Sequence, residues 1–344
     1  MNHNKDYSGE YIGKYLLIKK LGRGHFGSVY KAKDSILKTE TAIKIISCEQ
    51  PEAIEKLFNE SAIPYKCRHP NIVTINNASI ENFKDDDFFI IDMELLSDGS
   101  LEDLLQKGKV SVTTVLKYAS DILFALHHSH NQDFVHRDIK PGNILINNDM
   151  AKLSDFGLAT ILGEKLFQGI WYTPHKAPEA NETKCGTAQT DIYALGLTMF
   201  RVVNQIPDWG EFLECDPKRQ QLFYNKTLVE KGEFAPHVPD KVKKIIKKAC
   251  RKNLEKRYQS ANEMRNAIDK LTIAYNWEEI EPLRWLGASK SDQRTIDIVK
   301  KTSSYQVVVK RNNRKIGDDC RNFSSPQDAE KYLYEYIATH TLKG

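Results

Sequence analysis

Residues 136–143 read H-R-D-I-K-P-G-N, and Asp155-Phe156-Gly157 begins twelve residues after Asn143. These side chains suit transfer of a phosphoryl group. A carboxylate at Asp138 accepts or orients the proton of an acceptor hydroxyl, Lys140 steadies the moving phosphate, and Asn143 with Asp155 holds magnesium on phosphate oxygens. Oxygen ligands without cysteine match a hard divalent ion. Upstream, residues 21–29 read L-G-R-G-H-F-G-S-V, with Gly22, Gly24 and Gly27 in a loop between two strands rather than between a strand and a helix. That context separates it from a dinucleotide fingerprint. Side chains at these positions would keep the backbone from closing over a triphosphate, whose oxygens the loop amides would meet. Taken alone, such a hairpin is equally compatible with no ligand. Lys44 follows Gly27 by seventeen residues, in T-A-I-K at the centre of an apolar strand. A lysine there is costly to bury without anionic partners, and a strand-edge lysine reaching out to water is the plainer alternative. Glu60, on the polar side of the next helix, is placed to pair with Lys44 and aim its ammonium at the α and β phosphates.

Two kinds of element must position these groups. The stretch 15–46 is β-like, with a strand ending near Leu21, the glycine-rich turn, a strand at 28–32 and a β-branched one at 41–46. Pro51 and Glu52 open a helical stretch with Ile54, Leu57 and Phe58 on one face, running towards Pro64. Strand signals return at 72–75 and 88–93. After Asp98-Gly99 the pattern turns helical, at 101–106, 111–130, 190–203, 241–250 and 261–274. In the second of these, Val115, Leu116, Ala119, Ile122, Leu123 and Leu126 form a wide apolar stripe.

The ordered set of motifs resembles the signature of the eukaryotic-like (Hanks-type) serine/threonine protein kinases, from Gly22 to Arg257. On that resemblance Ala177-Pro178-Glu179 matches the motif closing the activation segment, Asp191 the helix aspartate supporting the catalytic-loop backbone, and Arg257 the arginine that pairs with Glu179. The resemblance further implies Met93 as gatekeeper and 94–96, including Glu94 and Leu96, as a hinge whose backbone bonds adenine. Val29 and Ala42 would roof the base and Leu145 floor it, with Leu21, Gly22, Arg23, Gly24, His25, Phe26 and Gly27 covering the phosphates. The catalytic set it implies is Asp138, Lys140, Lys44, Glu60 and Arg137. In the family such an arginine is neutralised by a phosphate on the activation segment, for which Thr160, Tyr172 and Thr173 are candidates. ATP and Mg2+ are the expected cofactors, and protein substrates the expected partners, with transient self-association for autophosphorylation in trans. Every catalytic position is filled, which argues against a nucleotide-binding scaffold without turnover, and the A-P-E segment argues against a small-molecule kinase. Tyr172 departs from the family, which usually has threonine five residues before Ala177. Lys140 and the P-G-N context point to Ser/Thr acceptors, with tyrosine or dual specificity still open.

A chain of 344 residues exceeds what one core usually supports, so a bilobal domain with an appendage is expected. With 28% charged residues and a formal charge of +4, the balance argues for neither nucleic acid nor membrane. The six cysteines are scattered, without C-x-x-C or zinc spacing, and read as reduced structural thiols. Residues 1–14 lack the apolar centre of a signal peptide, no apolar run approaches the roughly 20 residues of a membrane span, and Asn2 stands where myristoylation needs glycine. A cytoplasmic placement is expected.

The expected fold class is α+β: a bilobal protein kinase fold, with a small antiparallel-sheet N-lobe carrying one helix and a mainly helical C-lobe, plus a small C-terminal ββα module. Its expected boundaries are a flexible 1–11, a kinase domain 12–274 (N-lobe 12–96, C-lobe 97–274), a linker 275–299 and the module 300–344. Within the linker, 277–285 reads as a turn or short helix around Pro282. The module reads as a strand at 305–310, an Asn312-Asn313 turn, a returning strand at 314–323 and a helix capped by Ser325 with Pro326 at its first position. So short a piece should dock on the kinase part or pair with a second copy. Lys300, Lys301, Lys310, Arg311, Arg314 and Lys315 lie close in sequence, and a solvated basic face explains them more plainly than a phosphate or acidic partner does.

Overall fold

The computed structural model describes residues 6–23, 27–48, 65, 67–108, 110–156, 160–161, 175–183 and 185–343. Runs of β-branched and aromatic residues divided by turns build an antiparallel sheet at the N-terminal end. Its strands are β1 (Tyr11–Ile12), β2 (Tyr15–Arg23), β3 (Ser28–Asp34), β4 (Glu40–Ser47), β5 (Ile75–Phe83) and β6 (Asp86–Met93), in the order β1-β2-β3-β4-β6-β5. Alternation along β4 sends Ile43 and Ile45 into a core with Tyr15, Leu17, Tyr30 and Ile90. Ala42 and Lys44 consequently face the other way. The strand expected from residue 72 begins only at Ile75. The backbone just before it is committed elsewhere: Val73 donates to the Leu153 carbonyl at 2.9 Å and Asn71 accepts from the Leu153 amide at 2.8 Å. The helix expected over 51–64 lies outside the described residues.

The helical part begins with α1 (Leu101–Gln106), closed at its start by a capping box between Ser100 and Asp103, and α2 (Val112–His130), capped by Ser111. Two short ladders follow. One pairs β8 (Ile144–Asn147) with β9 (Met150–Leu153) through a turn in which Asn148 and Asp149 take positive φ, as a two-residue hairpin turn requires. The other pairs β7 (Phe134–Val135) with β10 (Thr160–Ile161). Next come α3 (Glu179–Thr183), α4 (Ala188–Val203), α5 (Trp209–Glu214), α6 (Pro217–Tyr224), α7 (Leu228–Lys231), α8 (Asp240–Ala249) and α9 (Ala261–Asp269). α4 is buried on every side, and α2, α4, α8 and α9 share one continuous core. Among the described residues no helix is long and apolar enough to cross a membrane.

The helix expected to run to residue 274 stops at Asp269. The following backbone pairs instead with the chain end: Ile273 bridges Leu342, and Ala274 donates to the Thr341 carbonyl at 2.9 Å. The stretch 275–299 is likewise no linker. It forms β11 (Asn276–Glu281), β12 (Arg284–Ala288) and β13 (Gln293–Lys300), which continue into β14 (Tyr305–Arg311), β15 (Arg314–Lys315) and β16 (Arg321–Phe323), with α10 (Pro326–Thr341) packed on one face. The module therefore carries far more sheet than ββα. A helix presenting Leu333, Tyr336 and Ile337 needs a broad apolar face, and Trp277, Trp285 and Ile296 supply it beside Val307 and Val309. The expected turn around Pro282 is the tip of the β11–β12 hairpin, and the returning strand breaks at a 3-10 turn, Gly317–Asp319. Gly287 lies beneath the Trp277 ring, which a Cβ would meet at 2.7 Å. Only glycine lets the indole lie flat across the sheet there. The module docks on the helical part, with Leu342 joining its core and Lys343 donating to the Thr272 carbonyl at 2.8 Å.

Candidate active site

Between the N-terminal sheet and the helical part lies a cavity of about 440 Å³. Register explains its roof: Gly22 lies across from Val29, Val29 from Lys44 and Lys44 from Ile91, while Ala42 lies across from Met93. Leu21, Glu94 and Leu96 line the side, and Asn143, Leu145 and Asp155 the floor. Val73, Ile75, Ser100 and Asp103 line it too, and the motifs did not single them out. The capping-box spacing of Ser100 and Asp103 was the available signal for those two. Glu94 turns its carboxylate away from the hinge onto Lys152, at 2.7 and 2.8 Å, and its amide is taken by the Thr74 carbonyl at 3.0 Å. Gly24, His25, Phe26, Glu60, Gly157, Tyr172 and Thr173 lie outside the described residues, and Arg23 and Thr160 are described by backbone alone.

Lys44 pairs with Asp155 at 3.0 Å; its expected partner Glu60 lies outside the described residues. Its side chain is 5% exposed, so the ammonium is retained inside by a carboxylate rather than by water. Burial works against ionisation of Asp155, but the charges of Lys44, His136 and Lys140 and the bond from Lys44 outweigh it and hold the carboxyl below its ordinary range. Asp155 sits at φ 61° and Arg137 at φ 72°, left-handed conformations that cost non-glycine residues energy and that surrounding bonds must hold. For Arg137 the holder is visible. Asp191, fully buried in the first turn of α4, accepts the amides of His136 at 2.9 Å and Arg137 at 2.8 Å, and His130 Nε2 lies 2.8 Å from the same carboxylate. The Arg137 guanidinium is buried as well; burial pulls its pKa down to about 10, with Asp191 opposing.

Lys140 Nζ donates to Asp138 Oδ2 at 2.7 Å, and Asn143 Nδ2 donates to that oxygen and to the Asp138 carbonyl, both at 2.8 Å. Asp138 Oδ1 is buried and has no hydrogen-bond partner among the described residues. An acceptor left unsatisfied at such a cost is one that awaits a donor. Because the Asn143 amide points its nitrogen at Asp138, its oxygen is left for another group, and Asn143 and Asp155 line the same cleft. Two oxygen donors of this kind fit a magnesium ion.

Phe156 is buried edge-on against His136, with ring centroids 4.6 Å apart. Arg257, its side chain fully buried, grips Glu179 with two bonds of 2.6 and 3.1 Å. His175, a position the motifs did not flag, places Nδ1 2.9 Å from the Ile139 carbonyl, inside the catalytic loop.

Comparison with known proteins agrees with this geometry. The pattern of the protein kinase domain matches residues 15–267. The chain is 33% identical over 263 residues to the serine/threonine-protein kinase PrkC of Bacillus subtilis, covering 73% of this chain and 39% of that one. It is 27% identical over 268 residues to the probable serine/threonine-protein kinase PknB of Lactococcus lactis, covering 74% and 41%. It is also 30% identical over 238 residues to the human cAMP-dependent protein kinase catalytic subunit PRKX, covering 67% and 63%. The chain thus spans about two fifths of the length of these bacterial relatives.

Proposed function

The chain belongs to the protein kinase family, of the Hanks-type serine/threonine kind, and from that premise we propose that it transfers the γ-phosphate of ATP to serine and threonine hydroxyls of proteins, its own activation segment among them. The observation that carries this reading is Asp138. One carboxylate oxygen is held by Lys140 and Asn143 while the other is buried and unbonded, which is what a group receiving a hydroxyl proton requires. In the reaction the substrate oxygen forms a bond to the γ-phosphorus, the bond from that phosphorus to the β,γ-bridging oxygen breaks, and the hydroxyl proton passes to Asp138. The products are ADP and a phosphomonoester. Lys140, next to the transferred group, offsets its negative charge, and Lys44, held inside the cleft by Asp155, meets the α and β phosphates. Asn143 and Asp155 would hold magnesium, which supplies charge neutralisation and alignment of the phosphate oxygens. The names of the bacterial relatives and the lysine two residues after Asp138 support Ser/Thr acceptors.

Incubation with ATP and magnesium, beside an Asp138→Asn variant, tests this with phosphosites mapped by mass spectrometry. Phosphoserine or phosphothreonine in the parent alone, with turnover down by at least about a hundredfold in the variant, is expected. Phosphotyrosine at Tyr172 would make the enzyme dual-specific. Intact ATP binding without any transfer by the parent would overturn the reading in favour of a nucleotide-binding scaffold.

A further inference from the structure

A second cavity, of about 460 Å³ and so as large as the cleft holding Lys44, opens where the C-terminal module meets the helical part. Its walls are aromatic, with His237 contributed by the helical part and Trp277, Trp285 and Tyr334 by the module. The His237 and Trp285 rings lie 5.2 Å apart, and Tyr334 stands edge-on to Trp285 at 6.4 Å. Glu278 and Glu279 also touch the lining; as neighbours on β11 they face opposite ways, Glu279 half-buried on the face that carries Trp277 and Trp285, and Glu278 exposed. Each has an oxygen engaged by a neutral donor: Asn276 Nδ2 bonds Glu278 at 3.0 Å and the Leu283 amide bonds Glu279 at 3.0 Å. Neither carboxylate is paired with a lysine or arginine among the described residues.

Among the described residues, the nearby basic groups do not pair with Glu279. Burial, helped by Lys243, lowers the His237 pKa to about 4, so its imidazole is neutral at pH 7. Lys243 is itself tied to Asp240 at 3.0 Å. The amides deeper in the lining are spent on the protein, Gln205 on the Val110 carbonyl at 2.6 Å and Asn204 on the Phe200 carbonyl at 2.7 Å. What is left among the described residues is a roomy aromatic chamber with a half-buried carboxylate, Glu279, on its indole wall. Aromatic faces attract cations, and a half-buried carboxylate such as Glu279 strengthens that attraction while disfavouring anions. A bare metal ion is a poor fit, because a carboxylate among indole and phenol rings offers too few oxygens to replace its water shell.

We propose that this cavity is a second ligand site, separate from the cleft, that takes an organic ammonium ion with an aromatic or branched apolar body. The ammonium lies against the indole and carboxylate wall, and the apolar body fills the space between the two parts of the chain. Because the walls come from both parts, occupancy also strengthens their packing. None of this depends on phosphoryl transfer.

The test uses the full chain saturated with magnesium and a non-hydrolysable ATP analogue, so that the cleft is filled. Benzyltrimethylammonium is then titrated in, with tryptophan fluorescence and saturation-transfer NMR as readouts, and benzyl alcohol serves as the neutral aromatic control. Saturable binding at least about tenfold tighter than that of the alcohol is expected, together with at least about tenfold loss in Glu278→Gln/Glu279→Gln. The affinity of that variant for the ATP analogue should stay within about twofold of the parent's, which separates a lost site from a lost fold. If the double variant does not fold, Glu279→Gln alone carries the comparison. Absence of saturable binding, displacement by the ATP analogue, equal binding of the alcohol, or unchanged binding in the variant would each overturn the proposal.

Discussion

His175 ties the end of the activation segment to the catalytic loop. With its proton on Nδ1 the imidazole donates to the carbonyl of Ile139, the residue between Asp138 and Lys140, and Thr198 Oγ1 lies 3.2 Å from the same nitrogen. Burial, with only partial relief from that bond, lowers its pKa to about 3. An unfolded histidine titrates near 6.5. Between those two values the unfolded chain binds a proton that the folded chain refuses, so stability falls as pH drops from about 6.5 towards 3, by up to about 1.4 kcal/mol per pH unit. Urea denaturation at pH 7.5 and 5.5 should therefore show a loss about 1 kcal/mol larger in the parent than in His175→Asn, since His237, shifted in the same direction, is present in both. Identical pH dependence in the two proteins would count against a buried neutral His175. The sequence signalled Asp138, Asn143 and Asp155 through their spacing, because their roles demand particular atoms. Nothing in H-K-A-P-E distinguishes a buried histidine from a solvated one.

The central helix α4 does two jobs. Its first turn carries Asp191, whose carboxylate fixes the backbone at His136 and Arg137, and its middle packs tightly on α8. Gly196 is what permits that approach, since a Cβ would meet Ala249 Cβ at 2.7 Å and Cys250 Sγ at 2.8 Å. Alanine gains about 1 kcal/mol of helix propensity over glycine, whereas overpacking a close core contact costs about 1–3 kcal/mol. Gly196→Ala should consequently lower stability by up to about 2 kcal/mol and leave ATP-analogue affinity nearly unchanged. A midpoint equal to the parent's would mean that the helices separate freely. Apolar density made α4 legible in the sequence, but its start came two residues earlier than expected, at Ala188, because the Thr187–Thr190 capping box outweighs the weaker apolar signal there. α9 stopped early for a related reason: the chain end, distant in sequence, takes the backbone groups that a longer helix would have used.

The molecule closes on itself. Leu342 is 7% exposed and joins the core of the helical part, while its neighbours Thr341 and Lys343 bond the backbone at 272–275. Leu342→Ala should cost about 2–4 kcal/mol, and calorimetry of the parent should show the module and the helical part melting in one transition. Two separate transitions in the parent would show the module to be an independent appendage. The sequence by itself determined the bilobal architecture and the order of the phosphate loop, Lys44, Asp138, Asn143 and Asp155, because phosphoryl transfer needs those groups at set intervals and the apolar periods of the flanking elements are local. Only the tertiary structure decided that 276–299 is mostly sheet, that Glu94 turns to Lys152, that Asp191 holds a strained loop and that an aromatic-walled cavity opens where the module meets the helical part. Each of these depends on partners far apart along the chain, and burial, pairing and cavity shape exist only once those partners have met.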